Sequence, residues 1–366
     1  MIRALIVDDE QAARDRLRQL LSSAEDITFV AEAENGDQAL EKILETQPDL
    51  VFLDIHMPGR SGLEVAASLQ APRPKIIFCT AFDQYAIEAF ELHAVDYLLK
   101  PVSRARLAQS VDRVRESIIE IKKLRGEIES AREVQARLFP QALPQMKNLD
   151  YSGICVPANA VGGDYYDFLL IGPHKLGVAL GDVSGKGVSA ALLMASLQGK
   201  LQSHAPRRGD AVAELATDLN RMVCNFSDSS RFITLFYGVY DDIDRTLTYV
   251  NAGHNPPLLF RPNGSWQILR LETGGTVIGL FPEAAYLQET LQLHAGDILI
   301  IFTDGITEAI NIEQEEFGES RLRTLTTGHY WFPGLALRDL ILAEVRKFTL
   351  GGQQQDDLSL VVAKIL

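Results

Sequence analysis

At 366 residues, with 46% hydrophobic and 23% charged side chains, the chain can form about two or three domains with cores of their own and is too apolar to be disordered by composition. Its 49 acidic against 35 basic residues leave a formal net charge of −14, the wrong sign for a surface that grips a nucleic-acid backbone. No apolar run approaches the ~20 residues that cross a bilayer, and Cys79, Cys155 and Cys224 show neither disulfide nor zinc spacing. A cytoplasmic protein that binds neither nucleic acid nor membrane is the expectation.

Residues 2–7 form a continuous apolar run that ends in three acids, which predicts a first strand rather than a signal peptide. Amphipathic stretches at 11–21, 38–44, 63–69 and 86–92 then alternate with apolar runs at 28–33, 50–53, 75–79 and 97–99. This alternation predicts an α/β doubly wound domain, a parallel sheet with helices on both faces, over 1–102. Ligands of such sheets bind beyond the carboxyl ends of the strands. Asp8, Asp9, Asp54, Thr80 and Lys100 all fall at predicted strand ends, so they converge on one edge. Asp8 and Asp9 can hold Mg²⁺, leaving Asp54 able to attack a phosphoryl donor, with Thr80 and Lys100 in reach of the added group.

The stretches "VDDE" (7–10), "LDIHMPGRSG" (53–62), "CTA" (79–81) and "DYLLKP" (96–101) resemble the receiver domain of two-component response regulators, over about 110 residues. The resemblance implies that Asp54 is the phosphoacceptor for a sensor histidine kinase. It implies Mg²⁺ on Asp8, Asp9, Asp54 and the His56 backbone carbonyl, and Thr80, Tyr97 and Lys100 as switch residues. It also implies a cis Lys100–Pro101 peptide, X–Pro being where a cis bond is least costly. "TAFDQYAIEAFELHAVDYLLKP" looks most like receivers of the LytTR class, although no basic DNA-binding module follows in this sequence.

Residues 103–147 are rich in Arg, Glu, Lys and spaced aliphatics, with no proline from 103 to 139. Leu107, Val111, Val114, Ile118 and Ile121 follow steps of four and three, which predicts a helical coiled-coil linker and a homodimer; a single helix packed on its own domain is the alternative. Between Ile121 and Leu124 the phase slips by one, and Leu124, Ile128, Ala131, Gln135 and Leu138 continue from a new origin. Gly126 just beyond it costs about 1 kcal/mol of helix stability relative to alanine.

From 148 to 366 strand-like runs dominate, at 152–156, 166–170, 176–181, 232–240, 246–251, 257–260, 298–302 and 358–365, with helical runs at 187–202, 211–226 and 335–348. This predicts an α+β sandwich with helices outside paired sheets. Its acids sit at turns: "VGGDYYD" (161–167), "GDVSGKG" (181–187), "FTDGITEA" (302–309) and "QQDDLSLVV" (354–362). Clustered carboxylates repel one another, so a fold that gathers them needs a cation, and an all-oxygen set favours two Mn²⁺ or Mg²⁺ ions over zinc. "DVSGKGVS" lacks the spacing of a nucleotide-binding P-loop.

These four motifs resemble the metal-dependent type-2C serine/threonine protein phosphatases, specifically the stage-II-sporulation-type branch. The resemblance implies that Asp182 bridges two metals with the Val183 carbonyl as a further ligand, that Asp304 and Asp356 complete one ion, and that Asp164 serves the other, directly or through water. Asp357 is the less favoured partner of Asp356. Asn251 and His254 in "NAGHNPP" (251–257), and "GTVIGL" (275–280), also match the family pattern, without an assigned role. His254 leaves two readings open, a general acid or a turn residue with satisfied hydrogen bonds. No arginine stands near Asp164 to grip substrate phosphate. The expected function is thus a response regulator whose output is dephosphorylation of a phosphoprotein. The resemblance suggests an anti-sigma-factor antagonist as that substrate. The alternative is a non-catalytic adaptor that binds a sigma factor or related regulator in response to phosphorylation.

Overall fold

The computed structural model describes residues 1–22, 24–225, 231–350, 352 and 354–366, and it divides into two compact units, Met1–Gly126 and Glu127–Leu366. Phe226, the end of a helix expected at 211–226, lies outside the described residues. Among the described residues no helix is long and apolar enough to cross a membrane.

The first unit alternates β1 (Ile2–Val7), α1 (Gln11–Leu21), β2 (Ile27–Ala33), α2 (Gly36–Thr46), β3 (Leu50–Leu53), α3 (Gly62–Ser68), β4 (Lys75–Thr80), α4 (Ala86–Glu91) and β5 (Asp96–Leu99). The strands form one parallel sheet in the order β2-β1-β3-β4-β5. Every residue of β3 is buried, because helices cover both sheet faces and leave no polar side for an alternating strand. The turns are set locally. The Asn35 side chain accepts the Gln38 amide at 2.9 Å, and Ser61 and Glu64 form a reciprocal capping box at the start of α3. Register aligns Val7 with Leu53, Leu53 with Phe78, and Thr80 with Leu99. The residues that follow β1, β3 and β5 therefore emerge beside Thr80 on one edge.

Helix α5 spans Arg104–Ala136 and runs through Gly126 without interruption. Its opening turns correct the expectation of an intermolecular seam. Leu107, Val111 and Val114 are buried in the core that also holds Ile2, Leu17 and Leu98, and Ile118 packs against it. A heptad-like spacing cannot by itself tell a partner helix from the helix's own sheet. The core of the first unit thus extends past residue 102, where the receiver was expected to end. Farther along, Ile119, Leu124, Ile128 and Val134 are exposed.

The second unit begins with β6 (Leu149–Val156), β7 (Tyr165–Gly172), β8 (Lys175–Val183), α6 (Val188–Arg208), α7 (Val212–Cys224), β9 (Ile233–Asp241), β10 (Thr246–Ala252) and β11 (Leu258–Asn263). It continues through β12 (Ser265–Arg270), β13 (Gly274–Gly275), β14 (Glu289–Gln292), β15 (Ile298–Phe302), α8 (Asp304–Thr307), α9 (Gly318–Gly328), α10 (Gly334–Phe348) and β16 (Leu358–Ile365). One sheet runs β13-β10-β9-β8-β7 with β14 also on β10, and the other runs β12-β11-β15-β16-β6. Phe168, Leu180 and Phe236 of the first sheet meet Tyr151, Ile301 and Val361 of the second in the central layer. Helices α6 and α7 cover one outer face, and α9 and α10 cover the other. This helix–sheet–sheet–helix sandwich is the α+β architecture expected from the sequence.

Strands β12 to β14 and helix α9 were not expected. The side chains of β12 and β14 are largely exposed or half-buried, so their apolar pattern is weak. In α9 the hydroxyls of Thr324, Thr326 and Thr327 donate to carbonyls four residues back, a habit that lowers helix propensity and hides the helix from a sequence reading.

Candidate functional site

In the first unit, one carboxylate oxygen each from Asp8, Asp9 and Asp54 lies within 4.8 Å of the others, the one such set of three acidic or metal-ligating groups among the described residues. Lys100 Nζ reaches both Asp8 Oδ2, at 2.8 Å, and Asp54 Oδ2, at 2.6 Å. Burial pushes the Asp8 carboxyl above its ordinary pKa, against the pull of Lys100. The Lys100 amide donates to the Thr80 carbonyl at 2.8 Å, and the Thr80 side chain is buried with its hydroxyl unpartnered among the described residues. The His56 amide donates to Asp54 Oδ1 at 3.3 Å, and Tyr97 donates its hydroxyl to the Phe82 carbonyl. Lys100–Pro101 is cis. Three oxygen donors around one point fit Mg²⁺.

The second unit gathers its acids where the two sheets end. Asp164 precedes β7, Asp182 is the penultimate residue of β8, Asp304 opens α8 after β15, and Asp356 and Asp357 lead into β16. Asp164 is buried and accepts the Thr303 hydroxyl at 2.9 Å. Burial, and after it the charge of Asp182, pushes its carboxyl well above the usual range. Burial and then Asp304 push Asp182 up to about 6. Asp304 is raised by burial and by Asp356. Asp164, Asp182 and Asp304 are thus all held above the ordinary carboxylate range, and the set spreads more widely than the receiver trio. Oxygen donors alone, drawn together and short of positive charge, fit hard divalent ions.

Asp356 and Asp357 differ in what they face. Asp357 is buried and accepts three backbone amides, from Ala158 and Gly163 at 2.8 Å and from Asp164 at 3.3 Å. The chain comes so close here that a Cβ on Gly162 would sit 2.3 Å from Asp357 Oδ2, and one on Gly163 would sit 2.9 Å from the Val183 carbonyl oxygen. Asp356 is half exposed and pairs with Lys186 Nζ at 3.0 Å. Lys186, held between Gly185 (φ +94°) and Gly187 (φ +78°), went unremarked in the sequence beyond its place in the "GDVSGKG" turn. Only the fold brings that turn against residue 356, 170 positions farther along the chain.

Asn251 and His254 build the turn after β10. Asn251 Oδ1 accepts the His254 amide at 2.7 Å while its Nδ2 donates to the Leu271 carbonyl at 3.0 Å. His254 is buried with Nδ1 2.9 Å from the Thr234 hydroxyl, and burial pushes its pKa down to about 4. A ring neutral at physiological pH has no proton to give as an acid from its imidazolium form. Its Nε2 has no partner of good hydrogen-bond geometry among the described residues, while the Phe302 backbone draws the ring's pKa back up in part against burial.

The sequence model of stage II sporulation protein E (SpoIIE) matches residues 172–366, more than half of the chain. The chain belongs to the SpoIIE family. The response regulator receiver domain matches residues 4–112 of this SpoIIE-family chain. Phosphoserine phosphatase RsbU of Bacillus subtilis (strain 168) is 33% identical over 59% of this chain and 63% of its own length. Transcriptional regulatory protein BtsR of Salmonella typhi is 50% identical over 32% of this chain and 49% of its own length. The solved SiaA-PP2C domain of Pseudomonas aeruginosa shares the fold, with a TM-score of 0.59 at 17% identity over 68% of this chain and 98% of that one. The chain spans about half the length of the curated relatives it matches.

Proposed function

We propose that the chain is a two-component response regulator whose output is metal-dependent hydrolysis of phosphoserine or phosphothreonine on a partner protein. One observation carries the reading: Asp164, Asp182, Asp304 and Asp356 converge, three of them with raised pKa values, and Lys186 is the cation ion-paired with them among the described residues. Divalent ions, when bound to such a set, supply an activated water and a positive clamp on phosphoryl oxygens. Asp182, which interacts with Asp304, Asp164 and Asp356, would be shared by the two Mn²⁺ or Mg²⁺ ions in this reading. The Val183 carbonyl adds to it, Asp304 and Asp356 complete one ion, and Asp164 serves the other. Asp357 holds the Asp164 loop instead of a metal. In the hydrolysis a water oxygen bonds to phosphorus as the ester bond to the seryl oxygen breaks, and the water's protons end on the serine hydroxyl and the phosphate.

Control belongs to the receiver. Asp54 accepts the phosphoryl group from a sensor histidine kinase, with Mg²⁺ on Asp8, Asp9, Asp54 and the His56 carbonyl, and with Lys100, Thr80 and Tyr97 registering the change. The receiver takes the opening turns of α5 into its core, the rest of the 103–147 segment is the helical connector, and 148–366 is the phosphatase domain. The exposed part of α5 beyond Ile118 forms a coiled coil in a cytoplasmic homodimer. The relationship to a protein named phosphoserine phosphatase supports the reaction class, and an anti-sigma-factor antagonist is the proposed substrate. The test is phosphate release from a phosphoserine protein with Mn²⁺, for wild type and D182N, with and without beryllofluoride as a mimic of phosphorylated Asp54. Release lost in D182N and altered by the mimic supports the reading; equal release from wild type and D182N rejects it.

A further inference from the structure

A phosphate monoester carries about two negative charges at neutral pH, and here it must approach four carboxylates. Ions held by these acids would offset part of that repulsion, but a protein cation would still be needed to aim the phosphoryl group. The sequence offers no arginine beside Asp164 for this. The structure offers Lys186.

Three observations single it out. Lys186 pairs with Asp356 at 3.0 Å, and among the described residues no other cation pairs with any of the four acids. Asp304 belongs to the same corner, since a Cβ on its neighbour Gly305 would sit 3.5 Å from the Asp356 Cβ and Gly305 lines the same cavity as Lys186. Its side chain is 53% exposed and lines an open cavity of about 360 Å³ with Asp356, Glu308, Gln355 and Arg346, so the ammonium is accessible from solvent at the site itself.

The Lys186 ammonium donates to the Gln355 carbonyl as well as to Asp356. When Asp356 serves an ion, the ammonium loses its carboxylate partner. A flexible four-carbon stem then lets it turn to the next anion in reach. The turn from Ser184 to Gly187 is pinned meanwhile, because the Ser184 amide donates to the Phe232 carbonyl at 2.9 Å and the Phe232 amide donates to Ser184 Oγ at 2.9 Å. The backbone under Lys186 is therefore fixed while its side chain is free to change partner.

We propose that Lys186 positions the substrate phosphoryl group, as the protein's own cationic contact to it at the Asp304–Asp356 end of the carboxylate set. The proposal rests on the phosphatase reading for its substrate, but it can be tested apart from turnover. Binding of inorganic phosphate to the Mg²⁺-loaded full chain is measured by calorimetry for wild type, K186M and K186R. The receiver is common to all three, so any difference arises from Lys186. K186M is expected to weaken phosphate binding by about tenfold or more, the worth of one charge-assisted hydrogen bond, and K186R to recover most of it. Mg²⁺ affinity, titrated separately, is expected to stay within about twofold, and KM for a phosphoserine peptide to rise more than kcat falls. Unchanged phosphate affinity in K186M overturns the proposal. So does a parallel loss of Mg²⁺ affinity, which would make Lys186 a staple between the 184–187 turn and Gln355. If wild type binds phosphate through Lys186 yet releases none from phosphoproteins, the hydrolysis reading fails and the anion site stands.

Discussion

The Asp357 carboxylate accepts the backbone amide of Asp164, at 3.3 Å, across 193 positions of sequence. One member of the Asp356–Asp357 pair thus holds the loop that presents Asp164, while the other faces the Lys186 ammonium. The pair divides its labour because Asp357 is buried against three amides and Asp356 is half exposed.

Removing Asp357 should therefore act through the fold. D357A leaves the amides of Ala158, Gly163 and Asp164 without their acceptor, and unsatisfied buried donors cost about 1–3 kcal/mol each in the worst case. The expected result in urea unfolding is a loss of about 2–4 kcal/mol in the second unit, with metal affinity falling alongside. D356A is expected to lower metal affinity with little change in stability.

Asp182 should behave in the opposite sense. It is half-buried among like charges, so D182N relieves repulsion in the metal-free protein and is expected to raise the melting temperature of the second unit by about 2–4 °C for each kcal/mol relieved. Added Mn²⁺ should stabilise wild type and leave D182N nearly unmoved. Calorimetric melting with Mn²⁺ and with EDTA reads both effects. A D182N protein that melts lower than wild type in EDTA would show that the set is not strained by its charge.

A pH dependence is expected in the first unit from Asp96. Burial raises its carboxyl, but hydrogen bonds from Arg106 and Ser110 outweigh this and hold it below the usual carboxylate value. A depressed folded-state pKa means that the folded state holds its proton less tightly than the unfolded chain. The contribution is therefore complete above the unfolded value of about 3.9 and is lost as pH falls through the lower folded one. D96N is expected to destabilise the first unit by about 2 kcal/mol at neutral pH, discounted from a fully buried pair because Arg106 and Arg113 are half exposed, and to flatten the acid limb of its stability curve.

The dimer proposal makes a separate demand. Leu124 and Ile128 are exposed, so L124E/I128E should leave the melting temperature of both units unchanged within about 1 °C. Light scattering should show the same variant shifting from dimer to monomer. L107E, by contrast, places a charge in the core of the first unit and is expected to unfold it.

Much was legible from the chain alone. Alternating runs announce a parallel sheet because such a sheet is apolar on both faces, and the acids at strand ends were legible as candidates that the fold could bring to one edge, since a turn at a strand end is where a side chain can leave the core. Leu107, Val111 and Val114 were legible as an apolar stripe but not as to what covers it, because periodicity reports a buried face and not its partner. The edge strand β14 and the threonine-rich α9 went unseen, since tertiary contacts overrode a weak local signal.

By itself the sequence determined which residue types and which turns could carry phosphoryl chemistry, since a glycine beside a carboxylate lets the backbone come close to a ligand. Only the tertiary structure decided the roles within each group. It turned Asp357 inward to amides and Asp356 outward to Lys186, and it buried His254 until its ring stays neutral. Burial and charge proximity are properties of neighbours far apart in the chain, and folding alone brings those neighbours together.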